Sequence, residues 1–441
     1  MEQDVTVIGG GLAGSEAAWQ IARHGIAVRL HEMRPVIMTP AHATDLFGEL
    51  VCSNSLKSDQ PETAPWLLKE ELRQLGSLLM RVADETRVPA GNALAVDREK
   101  FARRLTEVIS STPGITVIRE EVRELPDNGT IVIASGPLTS NALSASIAIF
   151  AGAENLYFYD AISPIVDATS LDRAKLSAAS RYDKGGQDYL NAFLSKEEYL
   201  NFHDALIHAE SAPLRNFETP QFFEGCLPLE ELARRGIDTL RFGPMKPVGL
   251  TDPRTGRWAY AALQMRLENN MADSYNLVGF QNHMKFPEQR RVFRMIPGLE
   301  KAEFLRFGQI HRNSYINAPH LLDATLQTKA RPHLLFAGQI CGCEGYIEAI
   351  ATGLLAGLNA ARLVKGLTPV TPPPTTALGS LTRYLAMEQE NFQPANITFG
   401  LMTGTPSEVL AIRDKKERRR AQTRQALEVL QPWIESLKLS K

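Results

Sequence analysis

Two cysteines stand where a thiol could act as a nucleophile. Cys226 lies in EGCLPLEELARR, a turn that opens onto a helix, with Pro228 suited to that helix's first turn. A thiol at a helix N-terminus faces the positive end of the helix dipole, which lowers its pKa and favours thiolate, the form that attacks. The bland alternative is a small buried hydrophobe, the ordinary fate of a free cysteine. The turn-and-helix setting favours the reactive one. Cys52 sits among polar residues in GELVCSNSL, inside a proline-bounded loop, a poor setting for core. Cys341 and Cys343 form C-x-C without a second Cys or His pair at zinc-like spacing, so no metal is expected. The C-x-x-C pattern of dithiol redox chemistry is absent as well.

A different chemistry, phosphate binding, is written near the start of the chain. In DVTVIGGGLAGSEAAWQIARHGIAVRLHEMR, Gly9, Gly11 and Gly14 fit G-x-G-x-x-G. Gly9 permits a tight turn, Gly11 lets the backbone approach a pyrophosphate, and Gly14 allows close packing of helix on strand. Gly10, Leu12 and Ala13 complete the cofactor-binding turn, whose N–H groups and helix dipole face the phosphates. Glu32 falls at the tip of the next strand, where a carboxylate can accept hydrogen bonds from ribose hydroxyls.

The elements that must hold these groups follow from periodicity. Residues 4–8 read as a buried strand, Leu12 to His24 as a helix that Gly25 ends, and Ile26 to His31 as a second strand. Ala18 and Ala22 keep the sheet-facing side of that helix slim. Residues 35–65 form a long connection with Pro35, Pro40, Pro61 and Pro65, and long connections within compact domains are usually functional. Trp66 to Val82 shows helical spacing, and Asp97 is placed to cap another helix. ITVIREEV and TIVIASGPLTS read as strands, the latter running into Ser135-Gly136-Pro137. LLFAGQICGCEGYIEAIATGLLAGLNAARLV repeats the design: an apolar strand, Gly338 and Gln339 in a glycine-rich turn, then a long Ala/Gly/Leu helix.

Pairing the two glycine corners closes one domain whose middle is inserted between its halves. The expected fold class is therefore α/β: a discontinuous Rossmann-like FAD-binding domain of glutathione-reductase type with an inserted α+β domain. The expected boundaries are 1–155 for the first part, 156–325 for the insertion carrying Cys226, 326–368 for the second part, and 369–441 for a linker and basic helical tail. PVTPPPTT supplies the stiff linker, and RDKKERRR gives the tail its charge. That basic run is either a solvated helix face or a phosphate-contacting patch.

The chain of 441 residues, 44% hydrophobic, has ordinary globular composition and room for two or more domains. A net charge of −2 gives no global attraction to nucleic acid, so such a partner must be held by a local patch. Four cysteines are too few for a disulfide framework in a chain this size. With no basic segment followed by an apolar one near residue 1, and no apolar run of about 18 residues, a cytoplasmic protein without a membrane partner is expected.

With both glycine corners, EGCLPLEE and RFGPMKPVGL in view, the sequence resembles the folate- and FAD-dependent tRNA uracil-5-methyltransferases, the TrmFO family. The resemblance runs from VIGGGLAGSEAAW through HATDLFGELVCSNSL and LQTKARPHLLFAGQICGCEGYIEA to the basic tail. The related GidA-type flavoproteins share the FAD corners and the GQI-GY run but not the EGCLP cysteine. Membership implies that NADPH or NADH reduces FAD, and that a one-carbon unit from 5,10-methylenetetrahydrofolate becomes a methyl group on C5 of the T-loop uridine at position 54 of tRNA. It implies Cys226 as the nucleophile at uracil C6, because thiolate addition turns C5 into an enolate carbon, and Cys52 as its partner at the C5 proton or the one-carbon unit. Gly136, Gly338 and Gln339 would join the first turn in binding FAD. His311 and Tyr346 would bracket the folate pteridine, and Lys415, Lys416, Arg418, Arg419 and Arg420 would touch tRNA phosphates. The alternatives are a GidA-like enzyme of the wobble uridine, a small-molecule flavin oxidoreductase, and a methyltransferase using S-adenosylmethionine.

Overall fold

The computed structural model describes residues 4–152, 156–183, 186–212, 227–390 and 392–437. Val5–Ile8, buried along its length, is the central strand of a parallel sheet. The order is Leu334–Phe336, Thr130–Ile133, Val5–Ile8, Val28–His31, Ile115–Ile118. The chain leaves this sheet after Ile133 and returns only at Leu334, so the sheet is discontinuous in sequence, as a Rossmann-like FAD-binding fold with an insertion requires.

The glycine turn is sterically obligatory. A Cβ on Gly14 would stand 1.8 Å from the Gly9 carbonyl oxygen, and one on Gly9, at φ +105°, would press into Ala134. The following helix is Leu12–Ala22, shorter than its periodicity predicts, because Gly25 at φ +75° takes the chain out of helical geometry. Its slim side matters more than expected. The helix Tyr346–Val364 lies across it so closely that a Cβ on Gly353 would fall 2.3 Å from the Ala13 oxygen, and one on Gly357 2.6 Å from the Ala17 oxygen. Small residues on both partners let two backbones touch. Tyr346–Val364 is also long and apolar enough by composition to cross a membrane, contrary to the expectation that no such run exists, yet 78% of its apolar window is buried inside the protein.

The predicted helix over 66–82 is two helices, Ala64–Gln74 and Leu78–Glu85. Gly76 at φ +76° breaks the run, and the Ser77 hydroxyl accepts from the Met80 N–H to start the second helix. The long connection before them contains a strand, Ser55–Ser58, in a small sheet with Ala93–Val96 and Arg87–Val88.

The intervening chain builds a second apolar core under an antiparallel sheet ordered Leu176–Ala178, Tyr189–Leu194, Ala261–Leu267, Ser274–Leu277, Ile165–Asp167, Phe304–Arg306. Leu263, Met265 and Leu277 face that core, and the alternate residues Gln264, Arg266 and Asn276 take the other face. The paired strands Leu156–Ala161 and Ile310–Tyr315 link the two regions. The C-terminal segment is no free tail. In the helix Lys415–Ser436, Ala426 enters the first core, and Leu427, Trp433 and Ile434 pack against it.

Candidate active site

A groove opens where the two glycine corners meet. Gly9, Gly11, Leu12, Ala13 and Glu32 line it on one side, Gly136, Gly338 and Gln339 on the other, and Val51 and Tyr346 at one end. Gly10 does not line it; its N–H donates instead to Glu32 Oε2 at 2.8 Å. A Cβ on Gly11 or Gly136 would meet nothing within 4 Å, so bare backbone faces open space beside a helix N-terminus, as a pyrophosphate needs. A dinucleotide therefore fits the residues present.

Glu32 is more committed than its strand-tip position suggests. It is 5% exposed; its Oε2 accepts from Gly10, and its Oε1 accepts from Arg34 N at 3.0 Å and Arg34 Nε at 2.9 Å. Burial pushes its carboxyl up, but the Arg34 guanidinium and the two backbone N–H groups outweigh it and hold the carboxyl below its ordinary value. The carboxylate stays ionised, with lone pairs facing the groove.

Both thiols of the C-x-C pair point away from chemistry. Cys341 Sγ donates to the Gly338 carbonyl at 2.8 Å and Cys343 Sγ to the same oxygen at 3.2 Å. Burial, with the neighbouring Cys341, pushes the Cys343 thiol well up. Together with Thr352 Oγ1, which accepts from Gly338 N at 2.9 Å, they pin the second glycine corner.

The loop carrying Cys52 forms the end wall, and four side chains from four elements hold it. Tyr346, first residue of the long helix, accepts through its hydroxyl from Cys52 N at 2.8 Å and Ser53 N at 3.3 Å. Arg98, first residue of the helix Arg98–Ser111, donates to the carbonyls of Leu50 and Cys52 and makes a paired contact with both carboxylate oxygens of Glu268. From the second sheet, Arg266 donates to Asn54 Oδ1 at 2.8 Å and Ser53 Oγ at 2.7 Å, and Arg306 donates to the Val51 carbonyl. Asn54, wholly buried, returns donors to Val96 O and Leu267 O. Burial and then the charge of a Cys52 thiolate push the Tyr346 phenol up.

Tyr346 lines the groove. His311 lies on one linking strand, in register with Asp160; its side chain lies outside the described residues. Cys226 lies outside them as well. Pro228 precedes the helix Leu229–Arg234 as its N-cap rather than entering its first turn. Lys415 and Lys416 are exposed at the start of their helix, where cations oppose the dipole. The neighbouring arginines are partly committed within the protein: Arg418 to the Ile412 carbonyl, Arg419 over the Phe399 ring, Arg420 to Glu62. Sequence reasoning missed Arg98, Arg266, Glu268 and Arg306. One signal existed for Arg98, since a cation directly after an Asp cap is unfavourable unless a distant partner repays it.

The family described as Glucose inhibited division protein A matches residues 4–368. A Koribacter versatilis protein named methylenetetrahydrofolate–tRNA-(uracil-5-)-methyltransferase TrmFO is 57% identical over 437 residues, covering 98% of each chain. A protein of the same name from Enterococcus faecalis is 54% identical, covering 99% of this chain and 100% of its own. Among solved structures, Aquifex aeolicus GidA superposes with a TM-score of 0.73 at 18% identity, covering 99% of this chain and 74% of that one, a likeness of fold.

Proposed function

Because the chain belongs to the glucose inhibited division protein A family, and within it to the TrmFO methylenetetrahydrofolate–tRNA-(uracil-5-)-methyltransferases, we propose that it moves a one-carbon unit from 5,10-methylenetetrahydrofolate to C5 of a uridine in tRNA. The target is the T-loop uridine at position 54, NADPH or NADH is the reductant, and the cytoplasm is the setting. The supporting observation is the Cys52 loop serving as the end wall of a groove flanked by both glycine corners.

FAD, when bound, supplies the hydride that makes the transferred carbon a methyl group. The turn at Gly9 to Gly14 would present N–H groups to its pyrophosphate, Glu32 would accept from its ribose, and Gly338 and Gln339 would close the far side. Cys226 adds as thiolate to uracil C6, which places the electron pair on C5 for attack on the one-carbon unit. Cys52 accepts the proton that C5 then gives up, and expulsion of the Cys226 sulfur restores the C5–C6 double bond. His311 and Tyr346 hold the pteridine. Lys415 and Lys416, with Arg418, Arg419 and Arg420, meet tRNA phosphates. The target base must leave its stack to reach the groove.

The test is an assay with tRNA transcript, labelled methylenetetrahydrofolate and NADPH, with S-adenosylmethionine as control. Label confined to the T-loop uridine is expected. Label in the anticodon, or transfer only from S-adenosylmethionine, overturns the reading. Cys226→Ala is expected to keep its flavin absorbance and lose methyl transfer; normal turnover would make that thiol structural.

A further inference from the structure

Three phenylalanines stack at the edge of the second sheet in a way that its core does not account for. Phe286, first residue of the helix Phe286–Phe293, and Phe307, just after the edge strand Phe304–Arg306, have ring centres 4.7 Å apart and planes 14° apart. Phe307 and Phe304 follow at 5.2 Å and 15°. The other ring pairs among the described residues of this region are tilted by 32° or more. Phe304 packs against the second apolar core, whereas Phe286 and Phe307 do not belong to it. Phe286 is 46% exposed, so the stack ends in water.

Charge around that end is uneven. Arg290, one turn along the same helix and exposed, sets its guanidinium 5.4 Å from the Phe307 ring centre, within cation–π range. Among the described residues it has no carboxylate partner, whereas Lys285 is paired with Glu210 and Arg291 with Glu288. Arg294 spends its donors on the Ala302 carbonyl. Four cations, Lys285, Arg290, Arg291 and Arg294, thus stand against the two carboxylates Glu288 and Glu210, which leaves two positive charges over.

The stack is also fixed in place and joined to the groove. Gln289, wholly buried, donates through Nε2 to the Gly308 carbonyl at 2.8 Å and accepts at Oε1 from Gly308 N at 2.7 Å. Helix and ring cannot slide apart without breaking both bonds. On the other side of Phe307, Arg306 donates to the carbonyl of Val51, a residue that lines the groove. A flat apolar ring beside a free guanidinium suits an unpaired nucleobase and its phosphate, because every base has a π-face and arginine serves both ring and phosphate. A purely apolar partner would strip water from Arg290 without returning an anion.

We propose that Phe286, Phe307 and Arg290 form a platform on which an unpaired base of the RNA substrate, a neighbour of the extruded target, stacks with its phosphate on Arg290. The choice of RNA rests on the function proposed above; the stack and its free cation do not.

The experiment titrates flavin-bound, full-length protein with tRNA transcript over a salt series and measures KM and kcat for methyl transfer on the same samples. Phe286→Ala should weaken binding about tenfold and raise KM for tRNA by a like factor, with kcat at saturating transcript, flavin absorbance and urea midpoint unchanged. Phe286→Trp should bind at least as tightly as the starting protein. Phe286→Leu should behave as Phe286→Ala, since bulk without a flat ring does not stack. Arg290→Gln should lower the slope of log affinity against log salt by up to about 0.9, and Arg290→Lys should keep it. Ile149→Ala, at an exposed apolar residue of the first region, should change nothing. Unchanged binding in Phe286→Ala, full binding in Phe286→Leu, or an equal loss in Ile149→Ala overturns the proposal. Transcript bound equally by all variants and methylated in the T-loop would remove the platform and leave the function standing. Transcript bound through Phe286 and Arg290 but never methylated would do the reverse.

Discussion

The two halves of the site are built by opposite means. The glycine turn at Gly9 to Gly14 is shaped by contacts with near neighbours in sequence and by one adjacent strand: the Gly9 carbonyl forbids a side chain at Gly14, and Ala134 forbids one at Gly9. The Cys52 loop has almost no local structure of its own. Its geometry is imposed by Arg98, Arg266, Arg306 and Tyr346, the last at a sequence distance of 294 residues. A turn encoded by sterics takes its shape within the first region; a loop held by long-range charge and hydrogen bonds takes its shape from the contact between the two regions. The turn at Gly9 to Gly14 thus takes its shape without the contacts that hold the Cys52 loop.

That contrast can be broken from either side. The largest effect is expected for Gly14→Val, which puts a Cβ inside the Gly9 carbonyl and should abolish flavin retention, read as loss of yellow absorbance in any folded protein recovered. Arg98→Ala should leave flavin in place while removing donors from two carbonyls and stranding Glu268, at a cost of about 3–5 kcal/mol in denaturant unfolding. Flavin loss in this variant would mean that the two regions are not separable.

The smallest of the three is a pH effect on the same segment. Lys69 is fully buried and donates to the carbonyls of Leu56, Lys57 and Ser58, just beyond the Cys52 loop. Burial pulls its ammonium down to about 7. A folded-state pKa below the unfolded one means the unfolded chain binds more protons between the two values, so stability should rise with pH from about 7 towards the ordinary lysine value. Lys69→Met should flatten that slope in urea midpoints; an unchanged slope would show that the ammonium is charged in the fold.

Much of the first half could be read in the chain. The glycine spacing, the alternation of apolar strands with helices and the second glycine corner at Gly338 are local patterns, and each lines the groove. The split at Gly76 was missed because a single positive-φ glycine outweighs an unbroken apolar stripe. The strand Ser55–Ser58 was missed because its partner, Ala93–Val96, lies beyond two helices. Arg266 and Arg306 carried no signal at all: on a strand, a charged residue alternating with Leu and Met reads as a solvent-facing position until a second region covers it.

By itself, the sequence determined where backbone must run bare and which strands must be buried, since steric exclusion and apolar periodicity act over a few residues. Only the tertiary structure decided what surrounds Cys52, because charge acts through space and three guanidiniums far apart in the chain become neighbours only when two sheets and a long helix close around one loop.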